Sequence, residues 1–219
     1  MSKQNPVLPE IFDPTGFGPE AFAQATGVSH ETLTDLQAYA ALLAASPHNL
    51  VSEASLKDVW HRHFYDSAQL DALIPEDAKT LADLGSGAGF PGLVLAILRR
   101  KRLKVSLYEA TKKKADFLKA VSQHLYLAVD VCSERVEAVP KRRFDIVTAR
   151  AFAPLPTLLA YAQNLTGRGT ICLFLKGHSH TDELTEARRN WTMNLRSTPS
   201  KTHPLGVVLE IRDLIHVSE

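Results

Sequence analysis

KTLADLGSGAGFPGLVLAILRRKRLKVSLYE, residues 79–109, is the stretch that decides the fold. A short apolar run ends at Asp83-Leu84. The turn Gly85-Ser86-Gly87-Ala88-Gly89 follows, then an apolar run of helical length, then a second strand-like run ending at Glu109. Strand, glycine loop, helix and strand in that order form a nucleotide-cofactor cradle. Glycines permit the tight turn and a close backbone approach, and the helix start faces an anion with its N–H groups. One sub-string, Gly87-Ala88-Gly89-Phe90-Pro91-Gly92, is a literal G-x-G-x-x-G dinucleotide fingerprint. Register speaks against that reading. With Gly87 as the first glycine, Asp83, Gly85 and Ser86 would sit inside a central parallel strand, where continuous Val/Ile/Leu is expected. With Gly85 first, the strand ends cleanly at Leu84 and Asp83 lies at its carboxyl edge, where such sheets bind ligands.

Outward from this unit the chain has two textures. Residues 1–18 are rich in Pro, Gly and short polar residues and predict a loose arm. Pro19 suits a first helical position and Gly27 the residue after a helix end. Ser29 reads as an N-cap, with Val28 and Leu33 placed for a hydrophobic staple. Leu33, Leu36, Ala40 and Leu43 continue at helical spacing until Pro47 stops the run. A further helix is predicted from about Ser55 to Ala72. Residues 1–75 thus read as an arm and a strand-free helical cap, and 76–219 as one compact core. In that core strand-like runs fall near 80–84, 104–109, 127–132, 144–149, 169–175 and 206–213. Helical patterns separate the earlier ones. The alternation implies an α/β fold, a mostly parallel sheet with helices on both faces. A weak run near 191–198 pairs with the last strand as a candidate antiparallel edge.

At 219 residues the chain can bury a sizeable core. No apolar stretch approaches the ~20 residues of a membrane span, and the N-terminus lacks an apolar signal region. Cys132 and Cys172 are isolated, as expected of buried thiols in a reducing cytoplasm. Net charge is only +1, but its distribution is lopsided. Residues 1–95 carry a balance of −8 and residues 96–219 a balance of +9. The basic half holds Arg99-Arg100-Lys101-Arg102, Lys112-Lys113-Lys114 and Lys141-Arg142-Arg143. One reading is a basic face for nucleic acid; the other is solvated helix ends. His61 and His63 with Asp66 do not predict a metal site, because residues i and i+2 of a helix diverge by ~200°.

The pattern D-x-G-x-G-x-G, Asp83 to Gly89, resembles motif I of class I S-adenosylmethionine-dependent methyltransferases. In that class the loop wraps the amino-acid end of the cofactor, and an acid ending the second strand holds the ribose. Further segments narrow the resemblance. They are Asn49-Leu50-Val51-Ser52, Arg62-His63 with Asp66-Ser67, and Gly89-Phe90-Pro91-Gly92, then Ser133-Glu134-Arg135-Val136-Glu137, Arg150-Ala151-Phe152 and Leu175-Lys176-Gly177. In order and spacing they are similar to the bacterial 16S rRNA guanine-N7 methyltransferase G family, also called glucose-inhibited division protein B. The resemblance covers about 29–177. It departs at Ala88, where proline is frequent, and around Leu42–His48, where the family often has a Trp-Asn segment.

The resemblance implies a Rossmann-like class I methyltransferase sheet with a helical cap and S-adenosyl-L-methionine as cofactor. It implies cofactor contacts at Asp83, Gly85, Gly87, Gly89, Phe90, Glu109, Val136, Glu137 and Arg150. Arg150 also stands as the candidate that positions substrate or cofactor. Arg62, His63 and Lys176 are the RNA-binding candidates. Asp83 alternatively caps loop amides, Phe90 alternatively pins the loop to the core, and Lys176 alternatively has a structural role. The implied activity is methylation of N7 of one guanine in 16S rRNA or the small ribosomal subunit, in the cytoplasm, without a general base, membrane or obligatory protein partner. A methyltransferase acting on a small molecule or protein and an NAD-dependent oxidoreductase are the competing expectations.

Overall fold

The computed structural model describes residues 16–217, and the arm expected over 1–18 lies almost wholly outside them. The glycine loop and its helix organise everything else. Strand β1 (Thr80–Leu84) leads through the loop into α5 (Gly92–Leu98), whose residues Gly92 to Ile97 are all buried. A helix apolar all round needs cover on every side. The sheet covers one side of α5. The other is covered by α2 (His30–Ala44) and the short α4 (Asp66–Ala68), and α1 (Pro19–Thr26) and the short α3 (Glu53–Lys57) complete the cap. One apolar cluster runs unbroken from Phe22, Leu36 and Tyr39 through Leu93, Leu95 and Ile97 to Leu81 and Leu107.

The local signals in the cap act as their chemistry requires. Pro19 opens α1, and Gly27 closes it in the left-handed region at φ 68°. Ser29 Oγ accepts from the Thr32 N–H at 3.2 Å at the start of α2. The single helix expected over 55–72 is not formed. Between α3 and α4 lies a π-helical segment, Trp60–Tyr65, and a 3₁₀ turn follows at Asp71–Leu73. In the widened turn the Asp66 N–H reaches back to the His61 carbonyl, while the Arg62 carbonyl accepts from Arg150 Nη1 at 3.0 Å. An arginine arriving from the sheet thus meets this segment where it departs from α geometry, a distortion often found at functional sites.

The remaining strands are β2 (Lys104–Tyr108), β3 (Val129–Cys132), β4 (Ile146–Arg150), β5 (Ile171–Lys176), β6 (Trp191–Pro199) and β7 (Val207–His216). Their order is β3-β2-β1-β4-β5-β7-β6. The first five are parallel, and β7 runs antiparallel to both β5 and β6. The run near 191–198 is therefore a strand, and the antiparallel edge is a pair. Helix α6 (Lys112–His124) links β2 to β3. Helices α7 (Leu155–Ala162) and α8 (His180–Ala187) flank β5 in sequence. A second apolar cluster, including Leu84, Val147, Leu158 and Phe174, fills the other face. This is the α/β sheet with helices on both faces that the alternating pattern predicts.

The basic run after α5 begins inside the fold, with Arg99 buried, Arg100 half-buried and Lys101 and Arg102 exposed. The Arg99 guanidinium is buried and satisfies Asp71 Oδ1 at 2.6 Å, with the carbonyls of Asp71, Ile74 and Pro75 at 2.8–3.1 Å. Arg100 pairs with Asp35, and Arg102 with Glu76 at 3.2 Å. Acids of the N-terminal half and bases of the C-terminal half thus neutralise one another across the cap–sheet junction.

Candidate functional site

Strand β1 lies between β2 and β4, so the connections leave it on opposite sides, and a crevice opens at the carboxyl edge of the sheet. A cleft of about 830 Å³ occupies that edge. Gly85 to Ala88 and Phe90, the end of β4 from Arg150 to Pro154, the end of β5, the π-helical segment and the β6–β7 turn all line it.

Gly85, Gly87 and Gly89 have φ of +66°, +58° and +108°. At Gly89 both backbone and space demand glycine, because a Cβ would run into the Tyr39 hydroxyl and the Leu93 side chain. Tyr39 also donates to the Ala88 carbonyl, fixing the loop from the cap side. Asp83 is fully buried beneath the loop, not in the cleft. Its Oδ1 accepts from Thr148 Oγ1 at 2.8 Å and its Oδ2 from the Gly92 N–H at 3.2 Å. Burial raises its pKa to about 6 against the pull of those hydrogen bonds. These two bonds tie the end of β1 to the first amide of α5 and to β4. Glu109 clasps the loop from the β2 side. Its Oε2 accepts from the Gly87 N–H at 2.9 Å and its Oε1 from the Thr111 N–H at 2.7 Å. Each oxygen keeps a second lone pair, and the residue is 7 % exposed behind the loop rather than among those lining the cleft.

Arg150 is the last residue of β4. Besides the Arg62 carbonyl, it donates to Asp66 Oδ2 at 3.2 Å and His63 Nδ1 at 2.8 Å, and its guanidinium lies 4.9 Å from the centre of the Phe90 ring. Arginine is only a donor, so His63 Nδ1 accepts and the ring proton sits on Nε2, which has no partner among the described residues. His63 stacks on Phe90 with centroids 4.6 Å apart and 12° between planes. Burial, then the charges of Arg150 and Arg62, push its pKa down to about 3. Phe90 itself is 3 % exposed and also stacks on Tyr39. Its ring pins loop to cap as well as lining the cleft.

The low pKa of His63 makes a pH prediction. A group neutral in the fold but ionising near 6.5 when unfolded contributes stability above pH 6.5 that is lost as pH falls toward 3. Asp83 works oppositely: its raised pKa contributes stability below pH 3.8 that is lost as pH rises through 6. The two offset each other between about pH 4 and 6. In His63→Phe only the Asp83 contribution remains. Relative to the parent, that variant is expected to gain about 2 kcal/mol on going from pH 7 to pH 5 in urea titrations. Parallel pH dependences of the two proteins would contradict it.

Of the other expected site residues, Arg62 and Lys176 line the cleft, and Val136 and Glu137 are not among its lining. Val136 is buried at the start of the 3₁₀ turn Val136–Ala138, and Glu137 is exposed and accepts from Tyr161 Oη at 2.8 Å. Lys176, a candidate for RNA phosphate with a structural role as its alternative, is held by Glu183 Oε2 at 2.5 Å and the Ala153 carbonyl at 3.0 Å. Its charge is neutralised inside the fold, because helix α8 brings Glu183 over the end of β5. Arg62 is exposed and lines the cleft. Sequence reasoning gave no role to Tyr39, to the Asp66 carboxylate that holds Arg150, or to the β6–β7 turn. Only Asp66 carried a signal, its place in R-H-x-x-D-S. Among the described residues no cluster of His, Cys, Asp or Glu has metal-binding geometry, and no helix is long and apolar enough to cross a membrane.

Known proteins resemble this arrangement at two levels. Among solved structures, the O-methyltransferase from Bacillus cereus in complex with SAH superposes with a TM-score of 0.54 at 14% identity, over 90% of this chain and 100% of that one. Aeropyrum pernix fibrillarin with natively bound S-adenosyl-L-methionine gives 0.53 at 12% identity, over 69% and 75%. These likenesses establish the fold, that of class I methyltransferases. The sequence goes further. Ribosomal RNA small subunit methyltransferase G of Rhodospirillum centenum is 48% identical over 88% of this chain and 89% of its own length. Its namesake in Rhodospirillum rubrum is 46% identical over 90% and 98%. The family model for rRNA small subunit methyltransferase G matches residues 32–205, from the cap through the β6–β7 turn. The glycine loop, the Arg150 cluster and the cleft between them are thus parts of one inherited unit, and the chain belongs to the rRNA small subunit methyltransferase G family.

Proposed function

We propose that this protein methylates N7 of a guanine in 16S rRNA, using S-adenosylmethionine, in the cytoplasm. The observation that carries the reading is the glycine loop clasped by Glu109 at the switch point of the sheet, in a chain of this family. The residues present fit the cofactor. The loop from Gly85 to Ala88 borders an 830 Å³ cleft, a Cβ at Gly85 would run into the Phe152 ring that also lines it, and Glu109 retains acceptor capacity for ribose hydroxyls. Val136 and Glu137, following β3, are assigned to the adenine end. When bound, the cofactor supplies a methyl group activated on a sulfonium. Guanine N7 has a lone pair and no proton, so the protein need supply no general base. Its work is to align, exclude water and hold charge, effects that reach ~10⁵ M or more in effective molarity. Arginine commonly reads guanine through O6 and N7 together, which would block the reacting atom. We therefore assign Arg150 to an anion, the cofactor carboxylate or an RNA phosphate.

Two measurements test the reading. N7-methylguanosine is mapped across 16S rRNA from cells with and without the protein, and one position is expected to lose its modification. An unchanged map defeats the proposal. Calorimetric titration with S-adenosylmethionine and NAD side by side is expected to show binding of the first only. In the same titration Glu109→Gln is expected to bind S-adenosylmethionine about 10- to 100-fold more weakly, the worth of a charge-assisted hydrogen bond. Undiminished affinity would remove Glu109 from the site.

A further inference from the structure

The cleft has a wall that neither the loop nor the cap accounts for. It is the β6–β7 turn, residues 200–206. Antiparallel pairing sets Val207 of β7 opposite Lys176, the last residue of β5, so the turn emerges at the same sheet edge as Gly85 and Arg150. It is fastened there. Thr202 Oγ1 donates to Asp66 Oδ1 at 2.6 Å, and the Lys201 N–H donates to Gln69 Oε1 at 2.9 Å. The Ser200 N–H closes the turn on the Gly206 carbonyl at 2.9 Å. Asp66 is the carboxylate that also holds Arg150, so one side chain ties the turn to the centre of the cleft. These bonds use backbone groups and a hydroxyl, and they leave the basic side chains of the turn outside. Lys201 lies between the lining residues Ser200 and Thr202 without lining the cleft itself, and it is exposed with no ion-pair partner among the described residues. His203 lines the cleft, and its Nδ1 accepts from the Leu205 N–H at 3.2 Å, which leaves Nε2 to donate. Arg62 lines the same cleft from the cap. Arg99 and Arg100, in contrast, pair with Asp71 and Asp35 of the cap, and Arg102 pairs with Glu76.

We propose that the 200–206 turn is an RNA-backbone-binding wall of the cleft, with Lys201 and His203 contacting phosphates beside the target nucleotide. The inference rests on RNA being the substrate, and it names a surface for the flanking RNA backbone that the proposed function leaves unassigned. A fixed turn suits the role, because phosphate contacts set the register of the nucleic acid without reading its sequence.

The test uses the full chain and a 16S rRNA fragment that the parent protein methylates. Binding is measured across about 50–300 mM salt, together with steady-state kinetics, for a Lys201→Ala/His203→Ala double variant. Its RNA Kd is expected to rise about tenfold, with the slope of log Kd against log salt falling by about 0.7 for each charge lost. The expected kcat at saturating RNA and the expected affinity for S-adenosylmethionine are unchanged. Arg102→Ala, at the cap junction, is expected to bind RNA as the parent does. A double variant with the parent's Kd and salt slope overturns the wall while the RNA reading stands. Loss of cofactor affinity or melting temperature in step with RNA affinity also overturns it, because the turn would then be structural. A parent protein that neither binds nor methylates RNA overturns both.

Discussion

Replacing Arg150 by alanine is expected to lower kcat/KM for RNA methylation by about 10²- to 10³-fold, the loss typical of removing one preorganised charge from an active site. Three acceptors converge on this guanidinium: the Arg62 carbonyl, Asp66 and His63. They hold it over Phe90 beside the glycine loop, so it is positioned before any ligand arrives. The fold should survive. Asp66 keeps its bonds from Gln69 Nε2 and Thr202 Oγ1, and we expect a stability cost of about 2 kcal/mol, within the range for a hydrogen-bonded charge. Arg150→Lys should not restore turnover, because an ammonium cannot serve three acceptors in a planar fork. A second readout separates positioning from bulk destabilisation. The Arg150 charge is one cause of the low pKa of His63, so that pKa should rise in Arg150→Ala when followed by NMR. Turnover at the parent's rate would remove Arg150 from the site.

Gly89→Ala should destabilise the protein by about 4 kcal/mol, combining backbone strain of about 1–3 kcal/mol with overpacking of about 1–3 kcal/mol. At φ +108° the position suits glycine alone, and an added Cβ meets both the Tyr39 hydroxyl and Leu93. Neither neighbour can retreat, since both are fully buried and Tyr39 is bonded to the Ala88 carbonyl. A domain of ordinary stability has only about 5–15 kcal/mol to lose, so the variant should show a much lower urea midpoint. An unfolding free energy within about 0.5 kcal/mol of the parent's would show that the loop rearranges freely. Gly85 offers a contrast. There the nearest atoms to an added Cβ belong to the ring of Phe152, which is 37 % exposed, so the backbone strain at φ +66° is joined by a clash with a partly exposed side chain. Substitution at Gly85 should therefore act on ligand binding more than on stability.

The register argument at Gly85 shows how far local chemistry reaches. A strand that must be buried on both faces cannot hold a charge and two small residues in its middle, so the sequence places the strand end at Leu84, where it is found. Gly27, Ser29 and Pro19 likewise act within a few residues of themselves, and their roles were legible for that reason. The π-helical segment was not legible. Its apolar spacing is that of an ordinary helix, and what meets its distorted turn is a guanidinium from a residue 88 positions later. Lys176 and Arg99 looked like candidates for phosphate because a sequence displays a charge without displaying its partner. Glu183 and Asp71 become those partners only when helix α8 and the cap fold over the strand ends.

The sequence by itself determined the alternation of strands and helices, the glycine loop and its register, the acid at the end of β2, and the family. All of these follow from steric and hydrophobic rules that act over one or two elements. The tertiary structure alone decided which charges remain free. It buried Asp83, spent Lys176 and Arg99 inside the fold, gathered Arg150, His63 and Asp66 onto Phe90, and brought the 200–206 turn to the same edge. A side chain's electrostatic role depends on its neighbours in space, and those neighbours lie tens of residues away in the chain.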